Sequence, residues 1–155
     1  MMKQLTAIFS ILLLFAICKP AEAQITGGSF DHEVGLHAGF TTGLGLSYRY
    51  WPRRLGIQAT FLPIFGNDNQ FISLGLSGLL MLKDDTNVNF FTYVGNHWIF
   101  RDDRDTQWNL GLGPGLKFIV SDELSIDVMA GYALYDVNDG LTSSVTAELG
   151  FYYRL

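Results

Sequence analysis

Residues 145–155 read VTAELGFYYRL, and apolar and polar side chains alternate along this stretch. One face carries Val145, Ala147, Leu149, Phe151, Tyr153 and Leu155. The other face carries Thr146, Glu148, Gly150, Tyr152 and Arg154. A period of two residues is typical of a β-strand with one apolar and one polar face.

The same alternation recurs through the rest of the chain after residue 30. It predicts about eight strands, near 33–40, 43–51, 54–65, 71–82, 88–100, 108–120, 124–135 and 143–154. The segments between them are rich in Gly, Asn, Asp, Ser and Pro, which favour turns. The phase of strand five is left open, because aromatic residues fall on both of its faces. The two prolines inside predicted strands are assigned to a strand end (Pro63) and to a bulge (Pro114), since proline donates no hydrogen bond to a sheet.

Three features favour an apolar face that points outward, toward lipid. First, the polar face is rich in glycine, which weakens a solvent-facing strand but suits the narrow inside of a small barrel. Second, aromatic residues collect near strand ends, where the aromatic girdles of membrane barrels lie. The predicted girdle residues are Tyr48, Tyr50, Trp51, Trp98, Trp108, Phe151 and Tyr153. Third, strands of this length suit a tilted crossing of the hydrocarbon layer.

The sequence therefore predicts an all-β fold, a closed antiparallel up-and-down transmembrane β-barrel of about eight strands. An even strand number closes the sheet and places both termini on the periplasmic side. The connections near 41–43, 66–70, 101–107 and 136–142 then face outside. A soluble exported barrel with the opposite orientation of its faces remains the alternative architecture, and membrane fractionation distinguishes the two.

Composition excludes several classes of function. The formal net charge is -5, and no basic stripe is present, which argues against nucleic-acid binding. The single cysteine, Cys18, excludes an internal disulfide and a cysteine metal cage.

The first 23 residues have the pattern of a secretory signal. Lys3 precedes an apolar run, and Ala21-Glu22-Ala23 is a small-x-small cleavage site. We expect cleavage after Ala23, which leaves residues 24–155 as a single barrel domain. The apolar run is too short for a permanent membrane helix.

Four stretches carry a resemblance to a known family: GLGLSYRYW (43–51), LGLGPGLKF (110–118), DVMAGYALY (127–135) and AELGFYYRL (147–155). The sequence resembles the small eight-stranded outer-membrane barrels called "porin family" or outer membrane protein beta-barrel domain, which are common in Bacteroidetes-type bacteria. The resemblance implies a location in the outer membrane of a Gram-negative bacterium. It also implies that the last strand contacts the barrel-insertion machinery. The family often ends in an aromatic residue, whereas this chain ends in Leu155, with Tyr153 two residues before it.

Charged side chains on the predicted inner face form the main candidate site. They are Glu33, Arg49, Lys117, Asp127, Glu148 and Arg154, with His37 and Gln58 nearby. Opposite charges in a narrow lumen are expected to pair, because an unpaired buried charge is costly. A structural plug is the favoured interpretation, since eight strands leave an interior just wide enough for side chains. A gated ion path is the alternative.

Other chemistry has weaker support. His97, with Ser143 or Ser144, is the one candidate for a lipid-modifying site. Asp102, Asp103 and Asp105 could bind calcium, although a solvated loop fits this charged segment better. We therefore assign no catalytic residue, no metal and no cofactor.

The predicted function is that of a small integral outer-membrane barrel, not an enzyme, with a structural or interaction role in the envelope. The predicted partners are outer-membrane lipid, the insertion machinery and an envelope protein, with no nucleic acid. A minor solute channel, a lipid-modifying enzyme and a soluble ligand-binding barrel are the alternatives.

Overall fold

A computed structural model describes residues 31–66, 70–101 and 104–155. Its eight strands are β1 (Asp31–Gly39), β2 (Gly43–Trp51), β3 (Leu55–Phe65), β4 (Gln70–Lys83), β5 (Val88–Arg101), β6 (Arg104–Ile119), β7 (Leu124–Tyr135) and β8 (Thr142–Arg154). Each strand pairs antiparallel with its neighbours in chain order, and β1 pairs with β8 to close the barrel. The predicted all-β closed barrel of eight strands is confirmed.

No helix long and apolar enough to cross a membrane occurs among the described residues.

The predicted strand bounds agree closely with the structure, except that β6 begins at Arg104 rather than near 108. The predicted signal segment lies outside the described residues. The side chains of the acidic segment 102–105 also lie outside the description, so its calcium hypothesis stays a prediction.

The two faces of the barrel wall differ sharply in exposure. Leu46 is 67% exposed on the outer face of β2, whereas Arg49 is 0% exposed on the inner face of the same strand. The outer wall is covered with exposed Leu, Ile, Val and Phe side chains, as the alternation predicts. In β5, whose phase the sequence leaves open, Phe91, Tyr93 and His97 face inward and are buried.

The structure shows on which face several of the predicted girdle residues lie, and their place at a membrane interface stays a prediction. Tyr48, Phe151 and Tyr153 are exposed on the outer wall, and Trp98 pairs with Trp108 across β5 and β6. Trp51, by contrast, is 4% exposed and lies inside the barrel. Its assignment to the girdle is wrong because Trp51 follows Arg49 by two residues, and the period of two therefore places both on the inner face.

The structure shows where the two prolines lie in their strands. Pro63 lies near the end of β3, beyond Phe61, the last β3 residue that pairs with β2. Proline is tolerated at such an unpaired strand edge. Pro114 does not form a bulge, because the β6–β7 register is the same at Leu112–Tyr132 and at Gly115–Met129. The register shifts between described residues lie in β4 at Met81/Lys83 and in β5 at Ile99/Arg101.

The β1–β2 hairpin is shorter than its neighbours, and its turn bends into the lumen. Residues 40–43 at this end are called the inner tip below. Thr41 and Thr42 are both 0% exposed, so this connection folds into the end of the barrel instead of projecting from it, and the side of the membrane on which it lies stays a prediction. Alternation marks a turn here but does not say in which direction the turn bends.

Candidate functional site

The half of the lumen near the β2–β3 turn contains two ion pairs. Arg49 on β2 contacts Asp127 on β7, and Lys117 on β6 contacts Glu33 on β1. Glu33 also lies 3.9 Å from Arg49, so the four charged groups form one cluster, called the ionic layer below. All four side chains are 3% exposed or less. Each of these charges, which are excluded from solvent, has an oppositely charged neighbour, because an unpaired buried charge is costly.

Uncharged side chains complete the ionic layer. Arg49 Nε donates to Gln58 Oε1 at 2.7 Å, and its guanidinium lies 3.8 Å from the centre of the Tyr152 ring. Trp51 Nε1 donates to Glu33 Oε2 at 3.3 Å, which explains why an indole is accommodated inside. The polar and cation–π contacts hold the planar guanidinium in one orientation.

Glu148 lies away from the ionic layer and binds the inner tip. Its carboxylate accepts the backbone N–H of Thr41 at 3.1 Å and the hydroxyl groups of Thr41 and Thr42. Because the Thr42 hydroxyl donates to Glu148, it accepts from His37 Nε2 at 2.5 Å. One carboxylate thus anchors the tip at three donors.

The opposite side of the inner tip is anchored by β4, β5 and β6. The Phe40 carbonyl accepts from His97 Nδ1 at 2.9 Å and from Asn109 Nδ2 at 3.0 Å. With Nδ1 donating, His97 Nε2 accepts the Ser73 hydroxyl at 2.8 Å. Ser73 Oγ also accepts the Leu44 N–H at 3.0 Å.

Glycines make room for the inner tip. A Cβ at Gly95 would lie 2.5 Å from the Thr41 carbonyl oxygen, and a Cβ at Gly75 would collide with the Thr42 carbonyl. A Cβ at Gly111 would collide with the Thr41 side chain. Three neighbouring strands therefore need glycine at the level where the tip lies, which is the close backbone approach that favours this residue.

Tyr152 connects the ionic layer to the residues that anchor the inner tip. Its ring packs on Arg49, and its hydroxyl lies 3.1 Å from His37 Nδ1 and 3.0 Å from Ser47 Oγ. Residues that line a continuous water-filled channel would be solvent-exposed, but those of the ionic layer and those that anchor the inner tip are buried. Through the described residues, the lumen is therefore filled by the ionic layer and by the inner tip.

The structure brings together Glu33, Arg49, Lys117 and Asp127. It places Glu148 apart from them, beside the inner tip. Arg154 lies opposite Glu33 in the β1–β8 register. His97 bonds to Ser73, and none of the described hydrogen bonds joins it to Ser143 or Ser144. Among the residues described, no group of three or more His, Cys, Asp and Glu side chains could hold a metal ion.

Sequence reasoning missed Thr41, Thr42, Ser73, Asn109 and the role of Tyr152. Only Tyr152 gives a signal in the sequence, as the one aromatic on the polar face of the last strand. The others depend on the direction of the inner tip and on the registers between strands, which alternation does not contain.

Comparison with protein-family models and with curated proteins gives no match. Among solved structures, the Yersinia pestis outer membrane protein Ail in a phospholipid bilayer nanodisc is 18% identical, with a TM-score of 0.46, covering 83% of this chain and 100% of that one. Neisserial surface protein A is 14% identical, with a TM-score of 0.43, covering 81% and 92%. The outer membrane enzyme PagL is 16% identical, with a TM-score of 0.38, covering 81% and 97%. Likeness at this level does not specify a function.

Proposed function

We propose that this chain is an integral outer-membrane β-barrel of a Gram-negative envelope, with a closed lumen and a structural or interaction role. The observation that carries the proposal is the reversed distribution of polarity. The charged ionic layer lies inside, and the large apolar side chains lie on the outer wall. A soluble barrel turns its apolar face inward, whereas a membrane barrel exposes it to lipid.

The filled lumen favours this role over a solute channel. Ions would have to pass both the ionic layer and the inner tip, and each is held by buried hydrogen bonds or ion pairs. The buried position of His97 also favours a non-catalytic role. His97 and Ser73 are 2% and 0% exposed, and their hydrogen bonds anchor the tip, so neither group is presented to a lipid substrate.

The four stretches that resemble "porin family" outer-membrane barrels support assignment to that group and to the Bacteroidetes-type envelope. On this proposal, β8 contacts the insertion machinery during assembly. An envelope protein would be the partner in an interaction role.

Heat-dependent mobility on gels tests the membrane barrel. Protein refolded in lipid vesicles should float with the vesicles and run at different apparent masses before and after boiling in dodecyl sulfate, because no strand of a closed sheet has a wholly unpaired edge from which the sheet can unzip. Planar bilayers containing the refolded protein should show no conductance steps. A single gel band under both treatments would refute the membrane barrel, and regular conductance steps would refute the closed lumen.

A further inference from the structure

The short β1–β2 hairpin leaves a gap in the outer rim of the barrel wall. Toward this rim, the β1–β8 pairing ends at Ala38–Leu149 and the β2–β3 pairing ends at Leu46–Phe61. The β7–β8 pairing continues to Tyr135–Thr142, and the β3–β4 pairing continues to Phe65–Gln70. Above the hairpin, β8 and β3 therefore each have a neighbour on one side only among the described strands. The gap between these two edges is called the notch below.

Exposure shows that the notch is open. Along most of the barrel wall, buried and exposed residues alternate, but residues 142–145 of β8 and residues 63–65 of β3 are all exposed. Two missing strands between β8 and β3 leave a width of about 14 Å, at about 4.8 Å for each strand spacing. The lower margin of the notch is formed by the inner tip and the start of β2, where Phe40 and Leu44 are exposed.

The notch lies within the apolar band of the outer wall. Val145 is 78% exposed and Phe65 is 70% exposed, and both lie on outward-facing positions at the two edges. Val145 is eight residues from Tyr153 along β8, which is about 20 Å along the axis of a tilted strand. The apolar band of a membrane barrel is about 25 Å tall, so the notch opens onto the outer part of the hydrocarbon layer.

The two edges of the notch differ in chemistry. The β3 edge is apolar, with Leu62 and Ile64 on its inner face and Pro63 without an N–H. The β8 edge carries hydroxyl groups, with Thr142 and Ser144 on its inner face and Ser143 outside. It also presents backbone groups on the side where no described strand pairs with it, and in lipid such groups need polar partners.

We propose that the notch binds one lipid molecule of the outer leaflet, with an acyl chain on Leu62–Phe65 and the ester or headgroup oxygens on the β8 edge around Thr142–Ser144. The inference rests on the proposed membrane location. Lipid is the occupant because it surrounds the notch at high concentration and matches the apolar edge and the hydroxyl-bearing edge at once. Thr41 and Thr42 of the inner tip, both buried, form the floor that stops the lipid from entering the lumen further.

Fluorescent labels on single cysteines test this proposal. The chain from Gln24 onward contains no cysteine, so Ser144→Cys, Ile64→Cys, Val145→Cys and Gln107→Cys can each be labelled with bimane. The proteins are placed in phosphatidylcholine nanodiscs in which part of the lipid carries a nitroxide near the ester end of one acyl chain. Val145 is the reference for a side chain that faces lipid. Gln107 is the reference for an inward-facing side chain, on β6 where this strand pairs with β5.

We expect labels at Ser144 and Ile64 to be quenched to the same extent as the label at Val145, and several-fold more than the label at Gln107. Adding Ser144→Trp should fill the notch and reduce quenching at Ile64 several-fold. The matched change Ser143→Trp, on the outer face of the same edge, should leave that quenching unchanged.

Quenching at Ser144 and Ile64 no greater than at Gln107 would overturn the proposal. That result is expected if the β8 and β3 edges bind an extended peptide instead of a lipid. Quenching at Ile64 that persists with Ser144→Trp would overturn it too, because the label would then only sense bulk lipid. Each labelled protein is first tested for the mobility shift on boiling. Absence of that shift in the unmodified protein would refute the membrane barrel and this inference together, whereas a shift with unquenched labels refutes the inference alone.

Discussion

Thr41 and Glu148 are 107 positions apart in the sequence, and the backbone N–H of Thr41 donates to the Glu148 carboxylate at 3.1 Å. The contact joins a turn between the first two strands to the last strand. Together with the hydrogen bonds of His97 and Asn109 to the Phe40 carbonyl, it fixes the direction of the inner tip, which fills this end of the lumen.

Replacing Glu148 should destabilise the inner tip. In Glu148→Ala, the Thr41 N–H and two hydroxyl groups lose their acceptor, and a buried unsatisfied group costs about 1–3 kcal/mol. Urea unfolding in micelles should show a loss of that order, and the Thr41 amide should exchange faster with deuterium. Glu148→Gln keeps an acceptor and should lose less, while Asp122→Ala in the exposed turn before β7 should change neither. Unchanged exchange at Thr41 in Glu148→Ala would contradict the anchoring role.

Removing one member of the Arg49–Asp127 ion pair should cost more than removing both. Asp127→Ala leaves a buried guanidinium with reduced compensation, an effect of about 3–5 kcal/mol. The double change Arg49→Met with Asp127→Leu should recover most of that loss, and unfolding free energies of the two variants compare them. The exposed Lys83–Asp85 pair is the control, and Lys83→Ala should show no measurable loss. If the double change is as unstable as Asp127→Ala, the charge argument is wrong.

Gly95 and Gly78 provide a matched pair of glycines in β5 and β4. Gly95→Ala places a methyl group 2.5 Å from the Thr41 carbonyl oxygen, and overpacking of this kind costs about 1–3 kcal/mol. Gly78 faces outward with nothing within 4 Å of an added Cβ, so Gly78→Ala should be neutral or slightly stabilising. Equal stabilities of the two variants would show that the tip does not lie against β5.

Leu149→Arg should impair membrane insertion more than Thr146→Arg. Leu149 faces outward, and an arginine facing lipid costs about 2–4 kcal/mol near the membrane centre. Thr146 is buried in the lumen, where its hydroxyl already lies 3.3 Å from Glu148 Oε1, so an arginine there has a carboxylate beside it. Folding yields in lipid vesicles measure the difference, and the reverse order would mean that the outer face does not meet lipid.

The secreted chain should begin at Gln24. Ala21 and Ala23 occupy the small-residue positions of a signal cleavage site. Mass spectrometry of the protein isolated from membranes would show this start directly, and a mature chain that retains Met1–Lys19 would refute secretion by this signal.

Alternation predicted which side chains of this barrel face inward because a strand's period of two follows from its backbone geometry. The period of two by itself predicts that Arg49, Lys117 and Asp127 face inward. Their pairing could not be predicted in detail, since partners across the lumen depend on strand registers and on shear. The buried tip at Thr41 and Thr42 was missed for a different reason. Its direction is set by Glu148, His97 and Asn109 together. These residues are distant in sequence, and no local pattern in residues 40–43 indicates contact with them.

The seam between β1 and β8 joins residues as distant in the chain as Glu33 and Arg154, and the Leu155 N–H donates to the His32 carbonyl at 2.8 Å. A polypeptide that lost β8 to proteolysis or to stalled synthesis would retain seven paired strands but would expose two long edges, on β1 and β7. Such edges recruit other strands and promote aggregation. Closure of the barrel therefore depends on the whole chain from β1 to β8, since a copy without β8 has no partner for the free edge of β1.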